Sequence, residues 1–96
     1  MTDELESTVA LITKPLVHLN GTSREALLDG YTNACHALRS AREAVIEASP
    51  NARDYYPLGN DAYRKAEKEH VARLQKLEDV RRELEALALH VSRAGR

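Results

Sequence analysis

Residues 63–91, YRKAEKEHVARLQKLEDVRRELEALALHV, carry the longest regular pattern in the chain. Tyr63, Ala66, His70, Leu74, Leu77, Val80, Leu84, Leu87 and Val91 recur at steps of three and four. That is the period of one face of an α-helix. Lys65, Lys68, Arg73, Lys76, Arg81 and Arg82 interleave with Glu67, Glu69, Glu78, Glu83 and Glu85. Charges alternating in this way at i,i+4 spacing mark a solvated face. Asn60 or Asp61 is the expected cap of this helix, and Gly95 follows its end. The spacing predicts a helix over 61–93, roughly 48 Å long at the rise of an α-helix.

Before this helix, Ser49-Pro50-Asn51-Ala52-Arg53-Asp54-Tyr55-Tyr56-Pro57-Leu58-Gly59-Asn60 reads as a stiff, irregular loop over 49–60. It is long for a connection between helices, where about 2 to 8 residues are usual. Before it, Leu27, Tyr31, Ala34, Leu38, Ala41, Val45 and Ala48 step by four and three, predicting a first helix over 22–48. Thr22 and Glu25 fit a capping box at its start. Asn20-Gly21 breaks the preceding chain, because both residues tolerate left-handed backbone. Leu16-Val17-His18-Leu19 reads as a short extended stretch, and Pro15 stops any helix arriving from the N-terminus. Leu5, Val9 and Ile12 suggest a short helix over 3–13, a reading weakened by the β-branched residues around them. Two long helices with one apolar stripe each and one loop between them form an antiparallel hairpin.

The sequence thus reads as one all-α domain over 1–96: an irregular or short-helical N-terminal segment (1–21), helix 1 (22–48), loop (49–60) and helix 2 (61–93). Its four tyrosines are accompanied by no Phe or Trp, so the core is narrow and built of Ala, Leu and Val. Leu28, Cys35, Ile46, Ala88 and Leu89 flank the two stripes and need cover from the N-terminal segment, from another subunit, or from both. A chain of this size buries a modest share of its surface. Self-association into a helical-bundle oligomer, a dimer or higher, is therefore expected.

Composition excludes several classes. The net charge is −1, and residues 61–96 set nine Lys/Arg against seven Asp/Glu, so no concentrated basic face exists for nucleic acid. One cysteine, Cys35, permits no internal disulfide and suits a reducing compartment. No apolar run approaches the roughly 20 residues of a membrane span, and the acidic start lacks the basic region of a secretory signal. A soluble protein in the bacterial cytoplasm is expected. His18, His36, His70 and His90 show no zinc spacing, and His70, on the apolar stripe, reads as a hydrogen-bonded core residue. Cys35 and His36 are adjacent on a helix and cannot face each other. No catalytic residue, cofactor fingerprint or metal cage is legible, so a non-enzymatic protein is expected.

Two polar motifs remain. His18-Leu19-Asn20-Gly21-Thr22-Ser23-Arg24 stands at a helix start, where free amides attract anions and Gly21 lets the backbone come close; capping alone also explains Thr22 and Glu25. Arg53-Asp54-Tyr55-Tyr56-Pro57 offers aromatic faces for stacking and an arginine for a phosphate; equally, one tyrosine can plug the bundle end while the other stays on the surface.

At these two motifs, and in Leu87-Ala88-Leu89-His90-Val91, the chain resembles a group of small uncharacterised proteins of tailed bacteriophages and prophages. The resemblance covers residues 15 to 93. It implies a phage source and draws attention to the same two loops.

In one hairpin the motifs lie at opposite ends, some 40 Å apart. An antiparallel dimer brings them together in two equivalent composite pockets. The candidate ligand-binding set is therefore His18, Asn20, Gly21, Thr22, Ser23, Arg24, Arg53, Tyr55 and Tyr56, for a nucleotide-like anion such as a host immune signal sequestered as counter-defence. The alternative is a virion or assembly component, or an inhibitor of a host protein, acting by protein–protein contact.

Overall fold

The computed structural model describes residues 11–94. Among these the architecture is two long helices, α1 (Arg24–Glu47) and α2 (Ala62–Arg93), with two short 3-10 turns between them and no strand. The expected helix over 3–13 lies outside the described residues but for its last three. Residues 13–18 are non-helical, and a turn closes at Gly21, whose amide donates to the His18 carbonyl at 3.1 Å.

Each helix starts and stops for local reasons. At the head of α1 the cap is Ser23, extended at φ −65, ψ 155, whose Oγ accepts from the Ala26 amide at 3.1 Å. This corrects the expected Thr22–Glu25 box. Ser23 sits one residue nearer the helix, so Ala26 occupies the position that the box needs for its carboxylate. The helix therefore begins at 24 rather than 22. It ends before Ser49-Pro50, where the Ser49 hydroxyl folds back to donate to the Ile46 carbonyl.

The loop runs through two 3-10 turns, Ala52–Asp54 and Tyr56–Leu58. Asn51 starts the first by accepting from the Arg53 amide at 3.1 Å. Gly59 ends the second at φ 116, a conformation that side-chain-bearing residues resist. Asp61 stands at the head of α2 but makes no capping bond with its side chain. Its backbone is already helical there (φ −94, ψ −9), which points the carboxylate away from the first amides.

The helices pack antiparallel in a constant register. Arg24 reaches the Ser92 carbonyl, the Cys35 thiol reaches the Arg81 carbonyl at 3.7 Å, and His70 reaches the Val45 carbonyl. Facing residue numbers therefore add to 115–116 from one end to the other. Leu27, Leu28, Tyr31, Ala34, Cys35, Leu38 and Val45, with Arg24 at the head of the helix, are the half-buried residues that α1 turns toward α2. The first stripe is thus rotated slightly from the expected one: Leu28 and Cys35 join it, whereas Ala41 and Ala48 are exposed.

The interior is thin. Only Ala66, His70 and Val91 are buried among the described residues, all on α2, and Val91 alone is fully enclosed. The chain is a rod of 61 × 26 × 16 Å with a radius of gyration of 18.3 Å. A compact domain of this length has about 12.5 Å. The N-terminal stretch covers part of α2, for the His90 Nε2–H donates to the Pro15 carbonyl at 3.1 Å. Ile46 and Leu89 keep 42% and 49% of their surface in solvent, so that stretch leaves part of the flank uncovered.

Candidate functional site

The first motif gathers at the open end of the hairpin, beside the last turn of α2. Arg24 lies along that end, and its Nη1 donates to the Ser92 carbonyl at 3.1 Å and the Ala94 carbonyl at 3.5 Å. The positive start of α1 thus meets the negative end of α2, and a guanidinium caps the carbonyls left open there. This pairing occupies Arg24 Nη1 within the chain, and the end of α2 offsets the pull of α1's free amides on an outside anion. Ser23 is the helix cap. A Cβ on Gly21 would come within 2.7 Å of the exposed His18 Nε2, so the glycine lets the imidazole fold over the turn. Asn20 and Thr22 are exposed.

The second motif lies at the closed end, about 36 Å away along α1. Tyr55 is half-buried and its ring lies 6.5 Å from that of Tyr63, tilted by 49°. Tyr56 points outward with 74% of its surface exposed, as does Leu58 with the same fraction, and Arg53 is exposed. One tyrosine packs against the bundle end and its neighbour faces solvent, the bland reading of this loop. Within one chain the two motifs are not brought together.

Between α2 and the end of α1 runs an open groove of about 650 Å³ that the motifs do not enter. Pro50, Tyr63, Val71 and Leu74 supply apolar wall, and Arg64, Glu67 and Lys68 supply charge. The Tyr63 hydroxyl donates to Glu67 Oε2 at 3.0 Å. That hydrogen bond, with smaller contributions from burial and from the carboxylate charge, holds the Tyr63 phenol above its ordinary range. At the groove's inner edge the His70 Nε2–H donates to the Val45 carbonyl at 2.8 Å, so His70 is the hydrogen-bonded core residue its place on the stripe implied. The groove is not legible in the sequence, because stripe spacing alone accounts for Tyr63, His70 and Leu74 through the α1 contact. Val71, an apolar residue off that stripe, is the sequence signal of it, and it is 64% exposed.

Farther along α2, Arg81 grips Glu78 through Nε (3.1 Å) and Nη2 (2.8 Å), with Glu85 at 3.8 Å. The Arg81 hydrogen bond, set against some desolvation, holds the Glu78 carboxyl below its ordinary range, and the charges of Arg81, Arg42 and Arg82 add to this. Among the described residues no group of three or more His, Cys, Asp and Glu could hold a metal ion, and no helix is long and apolar enough to cross a membrane. The class these features define is an all-α helical hairpin with polar motifs at its two ends and an open groove on its flank. No protein-family model, curated protein or solved structure matches the chain.

Proposed function

We propose that this chain is a non-enzymatic, phage-encoded interaction protein that works by laying its helices against another protein. The observation that carries the reading is that α1, 24 residues long, contains no buried residue. A helix held in place on one side only is a surface ready for a further partner. One flank, with Ala37, Ala41 and Ala44 all exposed, is smooth enough for close approach by another helix. The phage source rests on the resemblance of the two loop motifs.

Affinity capture from phage-infected cells, with the chain as bait, tests this. The expected result is a phage or host protein retained by the wild-type chain and lost with Ala37→Glu plus Ala44→Glu. Both positions are exposed, so the fold tolerates the change. Retention unaffected by these substitutions, or no retained protein, contradicts the reading.

A second reading is sequestration of a nucleotide-like anion between subunits. Arg53 and Tyr56, exposed on successive 3-10 turns, favour it. Native mass spectrometry of gently purified protein should then show a small added mass that Arg53→Ala removes. A mass adduct indifferent to Arg53 contradicts it.

A further inference from the structure

A second helical seam runs along α2, turned about 120° from the side that meets α1. Val71, Gln75, Glu78, Arg82, Glu85 and Leu89 step by 4, 3, 4, 3, 4. That order reads the same from either end, with its midpoint at Val80. We propose that this seam is a dimer interface, on which α2 of a second copy packs antiparallel about a two-fold axis passing beside Val80.

Chemistry sets the register. With the axis there, facing residue numbers add to 160. Val71 then meets Leu89 of the second copy, Gln75 meets Glu85, and Glu78 meets Arg82, each layer occurring twice by symmetry. Steps of three and four alternate so that each layer joins unlike heptad positions, as antiparallel helix pairs require. Apolar layers close both ends: Val71 and Leu89 keep 64% and 49% of their surface in solvent in the single chain. The central layers unite opposite charges and a hydrogen-bonding pair, which specify register more than they stabilise. The open groove explains the fit at each end. Leu89 of the second copy enters beside Val71 and Leu74, and Arg93 of the second copy comes to the side of Glu67.

The seam's own order agrees with a second copy as occupant: Val71, Gln75 and Glu78 need Leu89, Glu85 and Arg82 opposite them, and the same helix read in reverse supplies all three. A second copy on α2 leaves α1 for another partner. This inference extends the interaction reading above but uses a different helix, so either can fail alone. In this register the His18–Arg24 motif of one copy lies at the same end of the assembly as the Arg53–Tyr56 loop of the other.

Paired cysteines test the register. In a Cys35→Ser background, Val71→Cys with Leu89→Cys should oxidise to a covalent dimer joined by two disulfides. Either cysteine alone should give none, because the two copies of residue 71 lie some 27 Å apart along the axis, far beyond disulfide reach. Failure of the double variant to cross-link, or equal cross-linking by Val71→Cys alone, overturns the proposal.

Sedimentation of the unaltered chain should give the dimer mass. Glu78→Arg should weaken association by about tenfold or more, since like charges then face each other. Adding Arg82→Glu should restore it, with circular dichroism confirming helicity throughout. A monomer at high micromolar concentration overturns the second copy as occupant while leaving the α1 surface and its own capture test intact.

Discussion

The two helices share a period and a partner but differ in what they hide. α2 encloses Ala66, His70 and Val91, contacts the N-terminal stretch through His90, and carries a second seam on its flank. α1 encloses nothing and presents its outer side to solvent along its length. The difference lies in their neighbours, since α2 is approached from several directions and α1 from one. α2 is the keel of the molecule and α1 a cover laid against it. Substitutions of equal chemical severity should therefore cost far more on α2.

The largest break is Val91→Asp. Val91 is fully enclosed, and an uncompensated charge there costs about 3–5 kcal/mol. Circular dichroism should show loss of cooperative unfolding. His70→Ala comes next. It removes a 2.8 Å hydrogen bond to α1 and leaves a gap in the thin interior; about 2 kcal/mol, read by urea denaturation, is expected. Gly59→Ala should cost on the order of 1–2 kcal/mol, because φ 116 strains any residue with a Cβ.

A smaller effect follows from Glu78. Its carboxyl titrates below the ordinary range because Arg81 donates to it. The bond therefore contributes stability at neutral pH, which is lost as the pH falls from the ordinary glutamate range through the lowered native value. Partly exposed pairs contribute less than about 1 kcal/mol. Acid titration of the unfolding midpoint should show a drop that Glu78→Gln reduces. Smallest is Ala44→Lys on the exposed flank of α1, expected within about 0.5 kcal/mol of the wild type. A large loss there would break the contrast between the helices.

Periodicity made the hairpin legible, because two three-and-four stripes joined by a single loop bury each other when the helices fold back. The helix ends were legible to within two residues from Pro50, Gly59 and Asn20-Gly21. The capping residue was not, since Thr22 and Ser23 are chemically alike and backbone geometry chooses between them. The role of Arg24 was also hidden. It depends on register, which sets Ser92 and Ala94 beside it, and no local pattern encodes a contact across 68 residues. The return of Pro15 to His90 was hidden for the same reason. At the loop, adjacent tyrosines with opposite exposures could be anticipated as a pair, but which of them packs inward follows from the two 3-10 turns. The seam on α2 was present in the sequence as a charged face. Its self-complementarity emerges once the side facing α1 is known and the remaining side can be read by itself.

On the proposal above, the hairpin is half of a bundle, completed by a second copy on α2. Thermal unfolding over about a hundredfold range of protein concentration reads this out, since a folded dimer that unfolds to monomers gains stability by mass action. The midpoint should rise with concentration, and Val71→Asp with Leu89→Asp should abolish the rise. A midpoint constant across the whole range would rule out the second copy.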